Sequence, residues 1–277
     1  MTDRWRRLMP AALIVALGAA VALAPRDAPS MATADPTGPA GLYAALSDEG
    51  RSRVLVAFDP DLGTYAEIRP AVRAALAQLV RGGGNLSFVS FTAEGRAVAL
   101  AELDRLRRGG VEGGRLLDLG FHAGAEAGLV AGVDRIVADE AAGALAEALR
   151  AAGGGIGAFD LVLVVGGSEL GPRSWVEQVG TRLPDLPLTA IVPTILQPQT
   201  IPYRVSGQLD ALVAGVREGA AYVASVRDDA TTAAREAERV TDLPPSSLPL
   251  LAAMLATILL LAEAVATRWR GSREGTT

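Results

Sequence analysis

Short apolar runs alternate along the middle of the chain with longer stretches whose apolar residues recur at three and four. The runs VLVAF (54–58), LSFVSF (86–91), a weaker one over 115–119, LVLVV (161–165) and LTAIV (188–192) predict five strands. Between them, Ile68, Val72, Ala75, Leu76 and Leu79 mark a helix over 68–80. Val98, Leu100, Leu103 and Leu106 mark another over 93–108. Further helical stretches cover 123–137, 141–152 and 172–182, with Pro172 suited to a first turn. Glycine clusters at 82–84, 109–110 and 153–155 stop the helices. Strands apolar on both faces, separated by helices, predict a mainly parallel sheet of about five strands covered on each side. The fold class expected is therefore α/β, a Rossmann-like three-layer domain. LVLVV, the most apolar run, is expected at its centre.

After Ser206 the pattern changes. Leu209, Leu212, Val213, Val216, Ala220, Val223 and Val226 repeat at helical spacing, with Gly215 and Gly219 as potential breaks. Ala230, Ala233, Ala234, Ala237 and Val240 continue a thinner stripe, as expected of a stalk or a partner-facing helix.

The termini carry a matched pair of apolar segments. Leu8 to Pro25 holds 18 residues without a charge, between Arg4, Arg6 and Arg7 on one side and Arg26 on the other. At 1.5 Å per residue this is about 27 Å, enough to cross a hydrocarbon core. Leu248 to Thr267 carries only Glu263, near its end, and is followed by Arg268 and Arg270. Such flanking arginines predict a two-pass cell-membrane protein with both termini cytoplasmic and the central domain extracytoplasmic. Ala22-Leu23-Ala24 resembles a signal-peptidase site, and Pro25 directly after it disfavours cleavage. The expected organisation is a transmembrane anchor (or signal peptide) over 1–26, a linker over 27–40 and an exported α/β domain over 41–226. A stalk helix and linker follow over 227–247, and a second transmembrane anchor with a basic tail over 248–277.

Composition narrows the chemistry. Every one of the 26 basic residues is Arg; Lys and Cys are absent and His122 is the only histidine. That excludes a disulfide framework, a Cys or multi-His metal site, a thiol nucleophile, a lysine Schiff base and a P-loop lysine. Neither a metal nor a cofactor is expected. The net charge of −5 argues against nucleic acid. It divides by topology: residues 27–243 hold 19 Arg against 28 acidic residues, net −9, and the remainder 7 against 3, net +4.

In an open parallel sheet, ligands bind beyond the carboxyl ends of the strands. The first strand ends in Asp59-Pro60-Asp61-Leu62-Gly63, an acid pair reminiscent of haloacid dehalogenases. Gly63 stands where that family has Thr or Val, and the family's lysine has no counterpart. A turn and a helix cap are the simpler roles for Asp59 and Asp61. Thr92 is placed as an N-cap, with a ligand-hydroxyl contact as the alternative. Gly124 lies in a glycine-rich strand-to-helix junction, GFHAGAEAG (120–128), that would let an anion approach backbone. His122 in that junction is the only base available near neutral pH. Gly166-Gly167-Ser168-Glu169-Leu170 resembles a nucleophile elbow, but Leu170 replaces the required glycine. An N-cap role for Ser168 after a turn at Gly167 fits better. The catalytic candidates are thus Asp59, Ser168 and His122, and the ligand-binding candidates Asp61, Thr92, Gly124 and Gly167.

FDPDLGTYAEIRP (58–70), LGFHAGAEA (119–127), FDLVLVVGGSE (159–169) and SGQLDALVAG (206–215) resemble an uncharacterised family of bacterial membrane proteins. The resemblance implies a Rossmann-like domain between two terminal transmembrane segments; it carries no activity and no catalytic residues. Function is expected to be a membrane-anchored protein-binding or scaffold module without evident catalysis. Its partners would be the lipid bilayer and either another protein or further copies of the chain. The alternative is an exported hydrolase or small-ligand binder using the strand ends, and a third possibility is a transport subunit.

Overall fold

Six parallel strands in the order β3-β2-β1-β4-β5-β6 form the centre of the computed structural model. The structure describes residues 37–48 and 52–228. The two apolar terminal segments, most of the 27–40 linker and all but the first two residues of the 227–247 stalk and linker lie outside the described residues. Among the described residues, no helix is long and apolar enough to cross a membrane.

The chain runs α1 (Thr37–Leu46), β1 (Arg53–Asp59), α2 (Leu62–Arg81), β2 (Asn85–Ser90), α3 (Ala93–Arg108), β3 (Leu116–Phe121), α4 (Glu126–Asp134) and α5 (Ala144–Ala151). It continues through β4 (Leu161–Gly166), α6 (Pro172–Trp175, extended by a π turn over Val176–Gly180), β5 (Leu188–Val192), α7 (Gln197–Val205), β6 (Ala211–Ala214) and α8 (Gly215–Asp228). The α/β class and the parallel sheet follow the alternation in the sequence. β4 lies beside β1 at the middle of the sheet, and every residue of it is buried.

Alternation along the strands divides the core in two. Val54, Val56 and Phe58 pack under α1, α2, α3 and α8, against residues such as Leu42, Leu76, Leu103 and Tyr222. Leu55 and Ala57 face the opposite layer, against Leu129 of α4, Leu149 of α5 and Trp175 of α6. Both faces are lined mainly by buried aliphatic and aromatic side chains, so the sheet is held mainly by their burial.

Three elements depart from the sequence reading. The sheet has six strands rather than about five, because 211–214 forms an edge strand. Its residues Leu212 and Val213 are buried on opposite faces, and their spacing from Leu209 and Val216 imitates a helix. Gly215 separates strand from helix at φ +71°, and a Cβ there would lie 2.1 Å from Thr194 Oγ1. α7 occupies the proline-rich passage, with Pro198 in its first turn and Pro202 inside it. α1 takes in residues 37–40, which composition assigns to the linker; Gly38 lets it approach the backbone of β6 closely.

Candidate functional site

Because β1 is followed outward by β2 and β3 while β4 lies on its other side, the chain reverses direction between β1 and β4. In doubly wound sheets this switch point opens the crevice that takes ligands. The segments that would line it here are Asp59-Pro60-Asp61 after β1 and Gly166-Gly167-Ser168 after β4, with Asp59 opposite Gly166 in the register.

Asp59 is the most constrained polar residue of the region, only 2% exposed. Its Oδ1 accepts from Phe91 N at 2.6 Å, Thr92 N at 2.8 Å and Thr92 Oγ1 at 3.1 Å. Its Oδ2 is buried without a hydrogen-bond partner. Burial pushes the carboxyl up to about 6; the three donors oppose this, and the charge of Glu169 adds to it. Thr92 then accepts from Gly95 N at 3.1 Å, capping α3 as its position before Ala93 suggests. Ser90 Oγ donates to Phe58 O at 2.9 Å, so the ends of β1 and β2 are stitched together twice.

Asp61 occupies the N-cap position of α2, but its side chain does not cap that helix. Instead its carboxylate reaches across the switch point. Ser168 donates its N–H to Oδ2 at 2.9 Å and its hydroxyl to Oδ1 at 3.0 Å. Ser168 is therefore not the N-cap of α6, which is Gly171, and Pro172 takes the first helical position. Gly167 lies so close that an added Cβ would meet Asp59 O at 2.6 Å and Asp61 N at 2.7 Å. On the other side, Glu94 of α3 accepts from Leu62 N at 2.8 Å. The crevice is thus crossed by a carboxylate of the chain itself and packed backbone to backbone.

His122 follows β3 at the edge of the sheet. Its N–H donates to Ser90 O at 2.9 Å, and its ring Nε2 lies 3.3 Å from Leu119 O. The ring sits 5.7 Å from that of Phe91, which in turn packs edge-on against Trp175. Gly124, at φ +101°, and Ala125, at φ +46°, turn the chain into α4. Glu126 then accepts from Ser174 Oγ at 2.6 Å, joining α4 to α6.

The structure brings five of the predicted residues, Asp59, Asp61, Thr92, Gly167 and Ser168, together at the switch point, where a Cβ on Gly167 would lie 2.6 Å from Asp59 O and 2.7 Å from Asp61 N. Asp59 is held with Thr92, and Asp61 with Ser168 beside Gly167. His122 and Gly124 lie in the β3–α4 junction, with Phe91 between His122 and the Asp59 contact. The catalytic candidates Asp59, Ser168 and His122 are not joined to one another by any hydrogen bond. Among the described residues, no group of three or more His, Cys, Asp or Glu could hold a metal ion. An open cavity of about 570 Å³ lies at the opposite, amino end of the sheet, lined by Asp48, Phe159, Asp160, Arg182 and Asp185 among others. None of the predicted site residues borders it.

Two polar groupings depend on a partner distant in sequence. Glu102 on α3 is buried between Arg73 of α2 and Arg105, at 3.0 and 2.5 Å. Glu67 of α2 accepts from Thr194 N at 2.9 Å and from its hydroxyl at 2.5 Å, fixing the turn after β5. The Arg73–Glu102 and Glu67–Thr194 contacts join residues far apart in the chain, which periodicity does not register.

Fold and strand-end geometry together define a doubly wound α/β domain of the Rossmann-like class. No family model, curated protein or solved structure matches the chain.

Proposed function

We propose that this protein is a membrane-anchored scaffold whose exported α/β domain binds another protein or further copies of itself. One observation carries the reading: the switch-point crevice, the ligand site of such sheets, is bridged by Asp61 and Ser168, with the backbone at Gly167 packed against that of Asp59 and Asp61. A crevice crossed by the chain's own carboxylate favours the outer surfaces for interaction. The apolar segments 8–25 and 248–267, with arginines on their outer flanks, support a two-pass membrane placement with cytoplasmic ends. The test is affinity purification of the full chain from native membranes in detergent. Recovery of a stable protein partner, or of a homo-oligomer, is the expected result. A lone monomer that turns over or retains a small molecule overturns the reading. Reporter fusions after Ala40 and after Arg270 test the topology, with an extracytoplasmic signal expected at the first and a cytoplasmic one at the second.

A ligand-binding function at the strand ends has one observation in its favour, the buried Asp59 carboxyl with its unpartnered Oδ2. A small molecule that co-purifies with the protein and is lost in Asp59→Asn would establish it.

A further inference from the structure

We propose that the outer face formed by α7 and the turns beside it rests on the lipid surface of the membrane. Four of the large apolar side chains exposed on the domain belong to this region: Val205 (79% exposed), Ile195 (74%), Val216 (61%) and Ile201 (42%). Ile201 and Val205 are one turn apart on α7 and so share a side of it. Ile195 lies in the turn Thr194–Leu196 that leads into α7. Its neighbour Thr194 packs on Gly215, which places it next to Val216 at the start of α8. Gln197 of α7 also donates to Glu218 of α8 at 3.1 Å, holding the two helices side by side.

Two further observations select lipid as the occupant. The first is charge. From Leu186 to Leu209 the chain carries no carboxylate and a single Arg, Arg204, although residues 27–243 as a whole are net −9. The carboxylates that reach this region from other elements, Glu67, Glu177 and Glu218, accept hydrogen bonds from Thr194, Tyr203 and Gln197, so the region adds no further negative charge of its own toward an anionic headgroup layer. The second is the tether. Arg204 donates to the hydroxyl of Thr37, so the chain enters the domain beside Val205. Only residues 26–36, eleven in number, separate Thr37 from the apolar segment ending at Pro25. Fully extended, they reach no further than about 38 Å. So short a tether keeps this face at a high effective concentration near the bilayer, and a few aliphatic side chains then suffice to dock it.

The inference rests on the membrane-anchored reading, and the experiment separates the two. The chain has no cysteine, so Val205→Cys in the full-length protein takes a single environment-sensitive dye; Leu100→Cys, on α3 near the other edge of the sheet, is the control. The labelled proteins are reconstituted into phosphatidylcholine/phosphatidylglycerol vesicles with and without nitroxide-bearing lipids. The expected result is a blue-shifted emission at 205 that the lipid nitroxides quench, and neither effect at 100. Equal, water-like emission at both positions overturns the proposal. So does a blue-shifted dye at 205 that the nitroxides leave unquenched, which would mean a protein covers the face. Loss of the protein from vesicles on alkaline carbonate washing overturns the membrane-anchored reading, and this inference with it.

Discussion

Asp61 and Ser168 stand 107 residues apart in the chain and meet across the switch point, with both the N–H and the hydroxyl of Ser168 donating to the Asp61 carboxylate. The pair is exposed, so its loss is a modest matter of stability. Ser168→Ala removes one hydrogen bond and is expected to cost about 1 kcal/mol. Asp61→Ala removes both and is expected to cost about 1–2 kcal/mol, because the bonds to a charged acceptor are the stronger kind. Thermal unfolding of the purified variants measures both. Under the scaffold reading, Ser168→Ala retains its protein partner at wild-type yield; loss of the partner in this variant would mean that the binding surface includes the switch point.

Asp59 makes stability depend on pH in a direction opposite to the usual one for a carboxylate. Its folded-state value is raised from 3.8 to about 6, so the folded protein holds this proton more tightly than the unfolded chain does. The contribution is fully present below pH 4 and is lost as pH rises through 6. A shift of this size corresponds to at most about 3 kcal/mol. Asp59→Asn keeps an acceptor for Phe91 N and Thr92 and has no charge to lose. Denaturant unfolding from pH 4 to 7 is expected to show a smaller fall in stability for Asp59→Asn than for wild type. Parallel profiles would mean that Asp59 does not titrate in this window.

The fold was legible where hydrophobic periodicity was long enough to be unambiguous. β1 and β4 each hold five consecutive apolar residues, β2 and β5 are nearly as apolar with only Ser87, Ser90 and Thr189 interrupting, and α2 and α3 carry repeats over several turns. β6 escaped because four residues cannot display an alternation, and its neighbours completed a helical spacing by coincidence. α7 and α1 escaped because proline and glycine, which ordinarily punctuate loops, here sit in the first turn (Pro198), inside the helix (Pro202) or against a neighbouring backbone (Gly38). At the strand ends, sequence located the residues without their partners. Thr92 could be placed as a cap, since its partner Gly95 is three residues away. Asp61 was assigned to its own helix, since nothing local reveals a partner 107 positions on.

Two glycines near β1 separate close packing from helix propensity. A Cβ on Gly95 would lie 2.3 Å from Phe58 O and 2.6 Å from Asp59 Cα, both backbone atoms that cannot swing aside. Gly95→Ala must therefore push α3 off the end of β1, at an expected cost of about 2–3 kcal/mol. A Cβ on Gly63, in the first turn of α2, meets nothing within 4 Å. Gly63→Ala is expected to stabilise by about 0.5–1 kcal/mol through helix propensity and a less mobile unfolded chain. Differential scanning calorimetry should move the two melting temperatures in opposite directions.

Glu102 makes the strongest case for a buried charge that cannot be removed singly. Its side chain is 2% exposed, with Arg73 at 3.0 Å and Arg105 at 2.5 Å, each about a quarter exposed. Arg105 Nη2 is already buried without a partner. Glu102→Gln keeps the shape but leaves two guanidinium groups facing each other across a neutral amide, and breaking such a buried arrangement typically costs about 3–5 kcal/mol. Because the cost is that of stranded charge, it should disappear when the charges go together. The triple variant Arg73→Met, Glu102→Leu, Arg105→Met fills the same space with apolar side chains and is expected to unfold within about 1 kcal/mol of wild type. Urea denaturation of both proteins decides the matter. If Glu102→Gln is as stable as wild type, the carboxylate is not what holds α2 and α3 together; if the triple variant is as weak as the single one, the arginines contribute packing that methionine cannot replace.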